Sequence, residues 1–182
     1  MSVLIAYKDK VGIYIGTDSA AGAGGCLQKD CGPKFDTRNG MVVSAVGFRI
    51  YLKVLLSEID FNGTNLSKAL VESLAKRFIG KISKMKVESP ELKEYLTWPF
   101  FVIANKNKLF RFSLGGGVDE IKDGFETYGC GHEVATGAML GGKYCGEKCG
   151  HTLVDNAVTA CIKSAEGCSG NSHIFNVNRD LK

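Results

Sequence analysis

Ser2, Asp18 and Lys34 follow one another at intervals of sixteen residues. Once Met1 is removed, as a small second residue such as serine usually permits, Ser2 carries a hydroxyl and a free α-amine together. An α-amine has a reference pKa of about 8, so near neutrality part of it is unprotonated and able to take the hydroxyl proton. Nucleophile and general base then come from one residue. A Lys34 ammonium nearby would depress the amine pKa and stabilise the forming alkoxide, and Asp18 would hold that ammonium charged and oriented. Singly, the three have plain readings as a common second-position serine, a turn acid and a solvated lysine. Together they describe nucleophilic catalysis by the first residue of a trimmed chain.

The elements that must position them are strands. Residues 2–7 and 11–17 are apolar or alternating runs rich in Val, Ile and Tyr, and Asp9-Lys10 between them reads as a tight turn, which predicts a hairpin. Gly22, Gly24 and Gly25 loosen the backbone before a polar strand pair within 26–36, where Lys34 sits in a GPKF turn. Asn39-Gly40 is a hairpin signal leading into a buried strand over 41–46, which Gly47 ends. The period then changes. Phe48, Tyr51, Leu52, Leu55, Leu56 and Ile59 share one face of a helix. A second helix follows Asn62-Gly63, capped by Thr64 or Asn65, with Leu70, Val71, Leu74, Ala75, Phe78 and Ile82 inward.

Ser89-Pro90 and Trp98-Pro99 bracket a short helical or irregular piece. A hairpin over 100–104 and 108–113, a glycine turn or bulge at 115–117 and a short strand near 125–128 come next. Helices over 132–140 and 153–165 and a final strand over 172–177 complete the chain. Strands, two helices, strands, two helices, strand is an order that suits two central sheets with helices packed outside.

The cysteines allow other chemistry. Cys26 and Cys31 are spaced C-x4-C, and Cys145 and Cys149 C-x3-C within GGKYCGEKCG, so four thiolates could make a tetrahedral zinc site, although the spacing is looser than the C-x2-C of most zinc ribbons. Our expectation is no metal and no cofactor; a zinc-stapled binding domain is the reading that bound-metal analysis would test. Cys130 and His132 in GCGH suggest a thiol with a neighbouring base, but residues two apart rarely face each other. Cys161 lies on the apolar face of a predicted helix, where it reads as core.

Composition narrows the function classes. A chain of 182 residues with 45% hydrophobic content reads as one domain spanning residues 1–182 with a substantial core. The net charge of +4 is mild and the lysines are dispersed, which argues against a nucleic-acid surface. No apolar run approaches the roughly 20 residues of a membrane span, and the N-terminus lacks the order of a signal peptide. The expectation is a cytoplasmic protein, with no membrane partner and with its seven cysteines mostly reduced.

The segment SVLIAYKDKVGIYIGTDSAAGAG, followed by GPKF and MVVSAVG, resembles the start of proteasome β-type subunits and of the HslV peptidase. There an N-terminal threonine leads a strand, with an acid and then a lysine at the spacings seen here. YGCGHEVATGAM resembles the family's G-S-G segment, with Cys130 where serine is usual. EGCSG resembles D-x-x-S-G, with Glu166 in the acid position and Ser169 in the hydroxyl position. The resemblance spans nearly the whole chain and implies an α+β fold, the four-layer αββα sandwich of N-terminal nucleophile hydrolases.

It further implies that Cys130, Glu166 and Ser169 position the Ser2 amine, and that the Gly47 N–H faces the oxyanion; Gly47 also has a plain reading as a helix-entry glycine. The strip containing Ala20, Ala21 and Gly22 would pair with an extended polypeptide substrate by strand addition, or else be a simple loop. Implied partners are further copies of the chain in homo-oligomeric stacked rings and an ATP-dependent unfoldase. The short stretch before Ser2 leaves no propeptide, which is similar to HslV, while EGCSG is more like the proteasomal branch; a divergent bacterial or phage member fits the mixture. Serine at 2, cysteine at 130 and glutamate at 166 depart from the family pattern, and a retained Met1 would acylate the amine. The other expectation is therefore a catalytically silent ring or scaffold subunit.

Overall fold

Side-chain alternation along the first hairpin decides the layer order. The computed structural model describes residues 2–23, 26–28, 31–47, 49–84, 100–115 and 117–181. Strands β1 (Val3–Lys8) and β2 (Ile13–Asp18) pair antiparallel across a turn in which the Asp9 carboxylate accepts from the N–H groups of Val11 and Gly12, both at 2.8 Å. Val3, Ile5, Tyr7 and Tyr14 enter one core, and Leu4, Ala6, Ile13 and Ile15 enter another. A sheet with apolar cores on both faces must be an inner layer.

Strands β3 (Ala21–Ala23) and β4 (Cys26–Gln28) form a two-stranded ladder, while β5 (Phe35–Arg38) turns into β6 (Met41–Val46). Asn39 and Gly40 take φ of 50° and 73°, the left-handed pair that a two-residue hairpin of matching twist requires. The expected strand pair within 26–36 is thus corrected: β4 closes back on β3 and β5 forward on β6, because Gly32, at φ 75°, bends the chain between them.

Helix α1 (Arg49–Ser57), a 3-10 turn (Gly63–Asn65) and helix α2 (Lys68–Ile82) follow. Ser67, not Thr64 or Asn65, caps α2, accepting from Leu70 N–H at 3.4 Å. Asn62 caps the 3-10 turn instead, and Leu66 is not helical, so the two caps serve separate elements. The expected piece between Pro90 and Pro99 lies outside the described residues.

Strands β7 (Phe100–Ala104), β8 (Leu109–Ser113), β9 (Val118–Glu120) and β10 (Gly124–Gly129) lead to helices α3 (His132–Tyr144) and α4 (Gly150–Ser164), strand β11 (Ser172–Asn176) and a short helix α5 (Val177–Asp180). The last helix and β9 were not expected from the periodicity; both are too short to show one. The helix expected over 132–140 runs on through Gly141 and Gly142 to Tyr144. A Cβ on Gly142 would lie 2.7 Å from Leu153 Cδ2, so the missing side chain is what lets α4 approach.

One sheet has the order β10-β1-β2-β11 and the other β5-β6-β7-β8-β9, all antiparallel. Three cores separate four layers. Met41, Val43, Phe101, Ile103, Phe110 and Phe112 pack under α1 and α2, with Phe78 edge-on to Phe101 at 4.8 Å. Leu4, Ile15, Val42, Val102, Ala104 and Leu109 fill the space between the sheets. Val3, Ile5, Tyr14, Met139, Val154 and Val158 pack under α3 and α4. The fold is the expected α+β four-layer αββα sandwich. Among the described residues no helix is long and apolar enough to cross a membrane.

Candidate active site

Strand register brings the candidate residues to one end of the sandwich. Leu4 pairs with Thr17 and Val3 with Gly129, so the start of β1, the end of β2 and the end of β10 meet; Ser172 pairs with Asp18 and adds the start of β11. Ser2 at this junction is only 3% exposed. A Cβ on Gly129, which has φ 92°, would lie 2.1 Å from the Ser2 carbonyl oxygen and 3.3 Å from Val46 Cγ1. Glycine here is what lets residue 2 seat, and Val46 brings the end of β6, with Gly47, to the same region.

Asp18 is fully buried and satisfied from three sides. One carboxylate oxygen accepts the Val3 N–H at 3.0 Å and the Lys34 ammonium, and the other accepts the Ser169 N–H at 3.4 Å. Lys34 itself is held between the sheets. Its N–H donates to Thr17 Oγ1 at 3.3 Å, and its carbonyl accepts from Ser44 Oγ at 2.8 Å and from Ala45 N–H at 3.4 Å. Thr17 and Ser44 are buried hydroxyls on facing strands. Neither was singled out in the sequence, where a buried polar residue inside an apolar run (IGTDS, VVSAV) is the available signal.

Burial lowers the Lys34 pKa, because desolvation penalises the ammonium more than the Asp18 carboxylate restores it. The expectation that Asp18 keeps Lys34 charged is therefore opposed by burial, while the contact that orients the side chain is present. A buried amine of this kind gives up its proton more readily than a surface lysine.

Cys130 follows Gly129 directly. Its Sγ accepts from the Ser2 backbone nitrogen at 3.2 Å, lies 3.4 Å from the Ser2 carbonyl oxygen, and is 3.8 Å from Cys168 Sγ. The Cys168 hydrogen bond is the largest influence on the Cys130 thiol, and with the Ser2 N–H it outweighs partial burial, so the thiol pKa falls to about 6. That of Cys168 is driven up by the same contact and by burial.

Ser169 donates its N–H to Asp18, and its hydroxyl is buried with no hydrogen-bond partner among the described residues. Glu166 is exposed on the turn after α4, and no hydrogen bond joins it to the site among the described residues. In the EGCSG segment the residue that reaches Cys130 is Cys168, which the sequence reading passed over. Gly47 closes β6 at φ 119°, a conformation glycine tolerates, and is exposed. Ala20 is buried and Ala21 half-buried; Ala21 and Gly22 lie on β3, which pairs with β4 on one edge and with no strand on the other among the described residues. Ser19 anchors that strip, its hydroxyl accepting from Asn171 N–H at 2.8 Å and its carbonyl from Cys31 N–H at 2.9 Å.

His132 donates from Nδ1 to the Gly129 carbonyl at 2.9 Å, and no hydrogen bond joins it to Cys130 among the described residues. Cys161 is core, as its helical face implied, and donates to the Gly131 carbonyl at 3.3 Å. The Cys26 side chain lies outside the described residues; among those described, no three His, Cys, Asp or Glu side chains gather as a metal site. Beside Gly129 a cleft of about 550 Å³ is lined by Phe100, Arg111, Glu126, Tyr128 and His132. Arg111 pairs there with Glu126 at 2.8 Å.

By sequence, the chain matches no protein-family model and no curated protein. Its fold is similar to that of Thiobacillus denitrificans BPH in complex with epoxomicin, with a TM-score of 0.78 at 17% identity over 99% of each chain. A second structure of that protein gives 0.77 at 17% identity over 98% of this chain and 100% of the other. Eukaryotic HslV from Trypanosoma brucei gives 0.65 at 12% identity over 95% and 97%. The fold is proteasome β-like and HslV-like.

Proposed function

We propose that the chain is a subunit of a self-compartmentalising endopeptidase that cleaves peptide bonds with Ser2 after removal of Met1. The observation that carries this reading is the gathering of the Ser2 backbone, the Asp18–Lys34 pair and Cys130 at one end of a sandwich of proteasome-like fold. Ser2 Oγ attacks the scissile carbonyl, and its α-amine takes the hydroxyl proton through a bridging water. Lys34, oriented by Asp18, tunes both groups. The Gly47 N–H stabilises the oxyanion, a role worth on the order of 3 kcal/mol for one such donor. Loss of the amine product leaves an ester on Ser2, which water hydrolyses.

Cys130 and Ser169 position the amine. Once Met1 is gone, the Ser2 nitrogen has more than one hydrogen to donate, and the unpartnered Ser169 hydroxyl beside Asp18 is a second acceptor to offer it. The substrate lies extended along the open edge of β3, over Ala20, Ala21 and Gly22, with the cleft beside Gly129 available to a side chain. Stacked rings of identical subunits in the cytoplasm, fed by an ATP-dependent unfoldase, would enclose the site.

The exposure of Glu166 favours a second reading, a catalytically silent ring subunit, since the acid position of the family motif does not reach the site. Exposure to epoxomicin, the ligand of the Thiobacillus protein, separates the two. A peptide epoxyketone closes a ring only on a hydroxyl and free amine of one residue. One adduct per chain, mapped to a peptide beginning at Ser2, supports the peptidase; retained Met1 without adduct supports the silent subunit.

A further inference from the structure

Cys130 and Cys168 are paired in a way the peptidase chemistry does not require. Cys130 is exposed while Cys168 is only 5% exposed, and their sulfurs lie 3.8 Å apart. The arrangement depends on Gly131, where any Cβ would fall 2.8 Å from Cys168 Sγ and 3.2 Å from the Cys161 Cβ. Cys168 in turn sits on a tight bend, its N–H bonded to the Ala165 carbonyl at 3.2 Å and its segment bracketed by Gly167 and Gly170, both at φ 83°. A disulfide needs an S–S distance of about 2.05 Å, so a sulfur displacement of roughly 1.8 Å would join them.

We propose that Cys130 and Cys168 form a reversible disulfide in response to hydrogen peroxide, with Cys130 as the peroxide-reactive thiol and Cys168 as the resolving one. The Cys130 thiolate attacks one peroxide oxygen, the O–O bond breaks, and hydroxide leaves to be protonated to water, giving a sulfenic acid on Cys130. Cys168 sulfur then attacks the Cys130 sulfur. The S–O bond breaks, the proton of Cys168 goes to the departing hydroxide, and the S–S bond forms. Two thiols have lost two electrons and two protons, and one peroxide has become two waters. A dithiol reductant reverses the step.

Two other kinds of cysteine make the contrast. Cys161 is buried, its thiol pushed up to about 11 by desolvation, and so is inert. Cys145 and Cys149 are exposed, but neither has a second cysteine sulfur within hydrogen-bonding distance among the described residues. Among the described residues, Cys130 combines exposure, a favoured thiolate and a neighbour able to resolve the sulfenic acid.

On the peptidase reading the disulfide is also a switch. Drawing Cys130 Sγ toward Cys168 takes it off the Ser2 nitrogen, which it now meets at 3.2 Å, and removes the thiolate that would hold the amine in place. Turnover is expected to fall on oxidation and to return with dithiothreitol.

The test uses the full chain. Reduced protein is exposed to hydrogen peroxide, remaining thiols are blocked with iodoacetamide, and peptides are mapped with and without dithiothreitol. The expected result is a Cys130–Cys168 linked peptide that dithiothreitol releases, with Cys145 and Cys149 still alkylated. In Cys168→Ala the expected product is a dimedone-trapped sulfenic acid at Cys130. Cys130 left alkylatable after peroxide, linked to any other cysteine, or carried to sulfinic acid in the unsubstituted chain overturns the proposal. The map does not depend on catalysis. A linked pair in protein that takes no epoxyketone leaves the disulfide standing and removes the peptidase; an adduct at Ser2 with no linked pair does the reverse.

Discussion

At the scale of the residue, the Asp18–Lys34 pair is where electrostatics and burial oppose each other. Lys34→Ala leaves the Asp18 carboxylate buried with one charge partner fewer, a change that typically costs about 3–5 kcal/mol. The expected outcome is a lower denaturation midpoint together with loss of peptide turnover. Asp18→Ala strands a buried amine, which sheds its proton instead, and should cost less stability while also abolishing turnover. Cys130 gives a pH signature. Its iodoacetamide reactivity should rise with pH through a midpoint near 6 and reach its plateau below the range where ordinary thiols ionise. Because the Cys168 hydrogen bond is the main cause, Cys168→Ala should move that midpoint upward; an unmoved midpoint would mean that the thiolate is held by Ser2 alone.

At the scale of the element, glycines decide how closely neighbours approach. Gly129→Ala would put a methyl group 2.1 Å from the Ser2 carbonyl at a φ of 92°, so either β10 or the start of β1 must move. We expect loss of epoxyketone labelling with a stability change of about 1–3 kcal/mol, the usual range for overpacking and local strain. Gly150→Ala probes the opposite face, where a Cβ would meet the Tyr14 ring at 2.4 Å and the Tyr7 ring at 2.8 Å. It should destabilise to a similar extent by lifting α4 from β2. Comparing denaturant midpoints and labelling of the two variants separates damage to the site from damage to the layer.

At the scale of the molecule, the three cores differ in what they support. Phe78 lies between α2 and the outer face of the second sheet, in a core that contains none of the candidate site side chains. Phe78→Ala is expected to cost about 3–5 kcal/mol and to leave labelling of the folded fraction at Ser2 intact. Assembly is the property on which the proposed function depends most. Native mass spectrometry should find a closed ring or stacked rings, and a stable monomer that nevertheless hydrolyses peptides would detach the chemistry from compartmentalisation.

Much of this architecture was legible in the chain because it follows local rules. The apolar runs in VLIAYK and IYIGTD specify a hairpin of strands, the Asn39-Gly40 turn specifies another, and the 3.6-residue period specifies α1, α2 and α4. The resemblance to proteasome β-type subunits marked Ser2, Asp18 and Lys34 as a group, and the pairing of β1 with β2 accounts for the nearness of the first two. The tertiary structure alone decided which residue of EGCSG meets Cys130, across 38 residues of sequence, and that Glu166 remains outside. It also decided that Thr17 and Ser44 hold the Lys34 backbone, and that burial lowers the Lys34 pKa in spite of Asp18. The reason is physical. Periodicity and turn chemistry act between neighbours in sequence, whereas desolvation and long-range contact exist only after register and loop geometry have set which groups share a space without water.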